Sequence, residues 1–166
     1  MEDPDFVGTV IAQWRAERPD LDVAPLGVVA RLHRLAGRLT EELVAVYARH
    51  GLGEGEFDVL AALRRAGAPY ELAPRVLAAS TMVSSGAVTK RVDRCEQQGW
   101  VTRRVDRQDG RGRVVALTDA GRALIDRAFT EHVANEHRLL AGFSAEERAQ
   151  LAGLLEQWGR ALESGD

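Results

Sequence analysis

Between Ser84 and Leu117 the hydrophobic period changes from helical to two, and that change leaves few folds open. Val88, Val92 and Cys95 recur at steps of four and three, the spacing of one buried helical stripe. Ser84 is a credible N-cap for that helix, and Gly99 suits its C-terminal end. After Gly99, Trp100–Val105 and Arg113–Leu117 read as two strands. They are joined by Asp106-Arg107-Gln108-Asp109-Gly110-Arg111-Gly112, a polar turn with two glycines. A helix that runs into a small hairpin is therefore set locally, and the remaining segments must pack around it.

Those segments read mostly as helices. Phe6, Val7, Val10, Ile11 and Trp14 predict a weakly amphipathic helix over residues 5–17, stopped at Pro19 and Asp20. Residues 20–24 form a short link. Pro25 suits the first position of a long helix ending near His50, with Leu26, Val29, Leu32, Leu35, Leu39, Leu43 and Tyr47 among its apolar positions. Such a helix is too long for a small domain's own core, so part of it is expected to pack on a partner subunit. Phe57, Leu60 and Leu63 predict a helix over 54–66, ended by Gly67 and Pro69, and a short helix follows from Pro74 to Ala79. Thr118 caps a helix running to about Leu140. Ser144 and Glu147 form a capping box for the last helix, whose apolar face holds Leu151, Leu154, Leu155 and Trp158. The expected fold is mainly α with a small β-hairpin wing. Residues 1–24 supply an extra helix and link, 25–50 and 119–163 long helices for dimerisation, and 54–118 a helix-turn-helix with its wing.

Charge points to a partner for that segment. The formal net charge of −3 alone argues against nucleic acid. Its distribution argues the other way: Thr81–Arg113 holds eight basic and four acidic residues, and the rest of the chain carries −7. A helix fits the major groove of duplex DNA, and a basic loop can follow the backbone or enter the minor groove. Ser84, Ser85, Thr89 and Lys90 are small, polar or long-armed enough to reach bases or phosphates, and Gly86 permits close approach. Arg111, nearest the wing tip, suits the minor groove, and Arg107 and Arg113 suit phosphates. Asp109 serves as a turn residue or as a brace for Arg111. The plainer alternative is a two-helix corner with an ordinary hairpin, in a module that uses its long helices to bind protein.

Other classes find little support. There is no glycine-rich phosphate loop, and His132 and His137 are five residues apart, off a shared helical face. One cysteine and four scattered histidines do not make a structural zinc site, so neither an enzyme nor a metal cofactor is expected. The apolar runs are short and broken by charge, and no leader opens the chain, so a cytoplasmic protein without membrane contact is expected. The lone Cys95 fits a reducing compartment.

The block SSGAVTKRVDRCEQQGWVTRRVDRQDGRGRVVALTDAG, from Ser84 to Gly121, resembles the MarR family of winged helix-turn-helix regulators. Asp20–Ala36, Gly55–Pro74 and His132–Leu140 resemble its urate-responsive branch more closely, and the last of these lies outside the DNA-reading segment. The resemblance implies a homodimer on a pseudo-palindromic duplex site, repression of a nearby gene, and release by a small anionic ligand such as urate, a related purine or an aromatic acid. Carried over by residue, the ligand set is Trp14, Asp58, Arg91 and Arg103. Trp14 would stack on a flat ring, or simply anchor its helix. Asp58 would accept a ring N–H, brace an arginine, or pair with a neighbour. Arg91 and Arg103 would clamp an anion, although Arg91 also reads as a DNA-facing arginine. Three positions depart from the family. Gly110 follows Asp109 where an arginine is usual, Ala73 leaves the helix after it without a side-chain cap, and Cys95 replaces a leucine as a small buried hydrophobe.

Overall fold

The computed structural model describes residues 5–81, 85–105 and 112–164. Contacts divide the chain into two units, Met1–Ala45 and Val46–Asp166. The first contains α1 (Phe6–Glu17) and most of α2 (Leu26–Arg49). Asp5 caps α1, its carboxylate accepting from the Gly8 amide at 2.8 Å. Arg31 on α2 grips the same carboxylate at 2.8 and 2.9 Å, and Arg34 lies 4.4 Å over the Phe6 ring. Pro25 stands one residue outside α2 rather than inside it. Its carbonyl accepts from Val29 at 3.0 Å, which makes it the cap of the helix.

The second unit holds the core. Its elements are α3 (Glu54–Arg65), β1 (Glu71–Leu72), α4 (Pro74–Ala79), α5 (Ser85–Gln97), β2 (Val101–Val105), β3 (Arg113–Leu117), α6 (Asp119–Leu139) and α7 (Ala145–Ser164). Val46, Val59, Leu60, Leu63, Leu77, Cys95, Val115 and Ile125 are its largest fully buried side chains. Burying each leucine or isoleucine fully contributes about 1.5–3 kcal/mol. α3 is central, packing on α5, α6 and β3. Tyr47, at the end of α2, stacks on Phe57 with centroids 3.9 Å apart, and its hydroxyl lies 3.3 Å from His132 Nδ1 on α6.

The sheet has the order β1-β3-β2, all antiparallel. The hairpin expected from period two is present, with Val101 opposite Leu117 and Val105 opposite Arg113. β1 was not expected, since two residues are too few to display a period. It pairs Glu71 with Ala116 and makes β3 the middle strand, which explains why Val114, Val115 and Ala116 are buried in succession.

Several ends form as their residues require. Thr118 Oγ1 accepts from the Gly121 amide at 3.0 Å. Ser144 and Glu147 close a reciprocal capping box at 2.7 and 3.2 Å. Ala73 offers α4 no side-chain bond. Gly99 ends α5 with φ 72°, and the amide of Trp100 reaches back to the Cys95 carbonyl at 2.9 Å. Two long helices are left with little cover. α7 buries none of its residues, and α2 buries only Val46 and Tyr47. Among the described residues no helix is long and apolar enough to cross a membrane, and no three His, Cys, Asp or Glu gather where they could hold a metal ion.

Candidate DNA-reading surface and effector site

α5 divides its residues as the period demands. Val88, Val92 and Cys95 are buried against α3 and α4, which fixes the helix by its apolar stripe. Thr89 and Lys90 are exposed. Ser85 and Gly86 belong to its first turn. Ser84, Arg107, Asp109, Gly110 and Arg111 lie outside the described residues, so the cap and the tip of the wing are not part of this geometry. Arg113 is exposed at the start of β3.

Ion pairs within the fold occupy much of the basic stretch. Arg103 is held to α5: its amide donates to Glu96 at 3.1 Å, and its guanidinium pairs with both Asp93 and Glu96. Burial works against the Arg103 cation, and the two carboxylates more than offset it, so its pKa is raised. Arg104 donates from Nε to Glu71 at 2.8 Å, bracing β2 to β1. Arg94 pairs with Glu56 at 3.3 Å, while the other Glu56 oxygen accepts from the Gly53 amide at 3.0 Å and caps α3. Glu56, Glu71, Asp93 and Glu96 thus shape the surface, and none was singled out from the sequence. The only signal available was that acids are interleaved with the arginines; which acid meets which arginine is a tertiary fact. Among the described residues of the stretch, Lys90 and Arg113 are basic, exposed and without a carboxylate partner.

Asp58 on α3 senses the charge of Arg91 on α5, the helix packed against it. Asp58 is half-buried on α3. Burial, then the neighbouring Glu54, push its carboxyl above the usual range, while Arg91 and Arg65 pull the other way. Arg91 is also half-buried, and its Nη1 is closed to solvent without a hydrogen-bond partner. An unmet buried donor of this kind costs about 1–3 kcal/mol, and a bound anion would recover that cost. Arg103 is committed instead to Asp93 and Glu96. Trp14 belongs to the first unit, where it is half-exposed. There it lines an open groove of about 540 Å³ with Leu21, Asp22, Val23, Pro25, Leu26 and Val29. Cys95 is fully buried, and burial with Glu56 nearby pushes its thiol up to about 12, which makes it a core residue.

A short helix, a turn and a second helix backed by a hairpin, with long helices before and after, define a winged helix-turn-helix protein. Residues 50–112 match the MarR family. The chain is 43% identical over 149 residues to the HTH-type transcriptional regulator PecS of Dickeya dadantii, covering 90% of each chain. A cysteine-to-serine mutant of MarR from E. coli, solved in complex with operator DNA, superposes with a TM-score of 0.68 at 28% identity, over 81% of this chain and 94% of that one. A MarR family regulator from Streptomyces coelicolor gives a TM-score of 0.72 at 25% identity, over 87% and 99%. The chain belongs to the MarR family of transcriptional regulators, and is a regulator rather than an enzyme.

Proposed function

We propose that the chain acts in the cytoplasm as a homodimeric repressor, reads a pseudo-palindromic duplex site, and is released by a small anion of the urate class. The observation that carries this reading is the split of adjacent residues on α5. Thr89 and Lys90 face solvent, while Arg91 beside them is half-buried near Asp58 with one unmet donor. Reader and sensor are then one helix. An anion gripped by Arg91 against α3 ties α5 to its neighbour and so sets the pose of the residues that touch bases, which gives coupling between the two sites a physical route that an Arg91 side chain swinging free does not use.

Thr89 and Lys90, with Ser84, Ser85 and Gly86, supply contacts to bases and nearby phosphates. Arg113 supplies a phosphate contact, as do Arg107 and Arg111, which precede it in the sequence. On the effector side, Asp58 accepts a ring N–H and Arg91 clamps the anion. Arg103 joins by exchanging a carboxylate for the ligand, which would loosen β2 from α5. Homodimerisation is supported by α7, a 20-residue helix that buries nothing within its own chain.

The test is a titration of the purified protein on the DNA upstream of its own gene, with and without urate. Specific binding should exceed binding to random duplex by about a thousandfold or more and weaken steeply with salt. Urate should lower the affinity. Salt-insensitive binding to protein with no duplex preference would overturn the regulator's mode of action. Full DNA binding that ignores urate and related purines would remove the effector assignment alone.

A further inference from the structure

Gly55 stands buried in the first turn of α3. Its φ is not in the left-handed region, so the backbone does not demand glycine there. Glycine inside a helix costs about 1 kcal/mol relative to alanine, so its presence needs another reason. The reason is space. A Cβ at residue 55 would fall 2.2 Å from Arg91 Nε, 2.5 Å from its Cδ and 2.6 Å from its Cζ. These atoms are the outer half of a flexible side chain, so an alanine is accommodated only if that half of Arg91 swings away from α3. Gly55 and Asp58 are three residues apart on α3 and share a face. Arg91 therefore crosses α3 at a place where no side chain blocks it, on the side that carries Asp58.

We propose that Gly55 is the positioning residue of the effector site: by leaving its side-chain volume empty it lets the Arg91 guanidinium lie against α3 and meet an anion there. This rests on reading Asp58 and Arg91 as effector residues, and adds how Arg91 reaches that place. With any larger residue at 55, Arg91 is pushed off α3. Thr89 and Lys90 remain where Val88 and Val92 hold them. Gly55→Ala should therefore separate DNA binding from effector response.

The experiment compares wild type, Gly55→Ala, Arg91→Ala and the double variant. The first readout is the titration of the Asp58 carboxyl by carbon NMR, which needs no ligand. The charges that Asp58 senses are Glu54 and Arg65 on its own helix and Arg91 from α5, and Tyr47 in turn senses Asp58. Removing the Arg91 cation should move the Asp58 midpoint up. Gly55→Ala should do the same, and the double variant should add nothing. The second readout is release from DNA by urate. Loss of a charge-assisted clamp should raise the urate needed by about tenfold or more in Gly55→Ala and in Arg91→Ala. DNA affinity without urate should stay at the wild-type level in Gly55→Ala. Melting temperature is the third readout. If Gly55→Ala melts lower, the double variant should recover it, because the clash is with Arg91.

An Asp58 titration in Gly55→Ala that matches wild type would overturn the proposal. So would a melting loss that Arg91→Ala does not repair. If urate fails to release the wild type, the effector reading falls, and the Asp58 titration still decides the role of Gly55.

Discussion

Cys95 shows what a single position can reveal in advance. Its place on the Val88–Val92 stripe marks it as core, and the structure buries it completely. Its thiol, pushed up to about 12 by burial and by Glu56, is neither exposed nor ionised near neutral pH. In the folded protein at pH 8, Cys95 should not react with a chromogenic disulfide reagent, and should react fully once the chain is unfolded in denaturant. Labelling of the native protein at the rate of a free thiol would mean that α5 opens. The arginines were less legible. Arg91, Arg94, Arg103 and Arg104 look alike in a basic run, but one lies against α3 and three are braced by carboxylates. Spacing separates a buried stripe from an exposed one. It does not say which acid a long, flexible side chain will find on another element.

At the scale of elements, periodicity and caps located the helices to within a residue or so, and the hairpin by its change of period. β1 escaped because it takes its identity from β3 rather than from its own two residues. The hold of α1 on α2 was also not readable, since Asp5 and Arg31 are 26 positions apart. That hold has a pH signature. Arg31, then the Gly8 amide, draw the Asp5 carboxyl down from 3.8 to about 2. A carboxyl lowered on folding stabilises fully above its ordinary range and loses that contribution as pH falls from about 4 to about 2. In a variant retaining Trp14 as its only tryptophan, fluorescence should change across that window, and Asp5→Asn should show the change already complete at neutral pH. Identical curves for the two proteins would show that Asp5 does not hold the helix. α5 and β3 make a second prediction at this scale. Thr89→Ala and Lys90→Ala should change the motif recovered in a binding-site selection. Arg113→Ala should weaken all duplexes alike and lower the salt slope by about one. One unchanged motif for all three variants would contradict the split between reader and wing.

For the whole molecule, the decisive quantity is apolar surface that the chain does not cover itself. Leu154 is 65% exposed, Leu162 71%, Phe6 63% and Val28 61%. They fall on α7, α1 and α2, three of the helices outside the helix-turn-helix. Scattered exposed leucines are ordinary, but a 20-residue helix with nothing buried is not, because a helix gains most of its stability from packing one face. In the proposed homodimer a second copy of the chain would supply that packing and also set the DNA site, since two readers related by a twofold axis require two half-sites about one helical turn apart. Replacing Leu154 and Leu162 together with glutamate puts four charges into the contact of a symmetric dimer. Sedimentation should then show a monomer at concentrations where the wild type is a dimer. Affinity for a two-half-site duplex should fall by at least about a hundredfold, because the second reader is no longer held at high effective concentration. Binding to an isolated half-site should hardly change, because Thr89, Lys90 and Arg113 are untouched. This last comparison separates loss of assembly from loss of folding: a misfolded variant loses both duplexes, and a monomer loses only the longer one. A variant that stays dimeric and keeps its affinity would mean that α7 meets some other partner and that the dimer is built elsewhere.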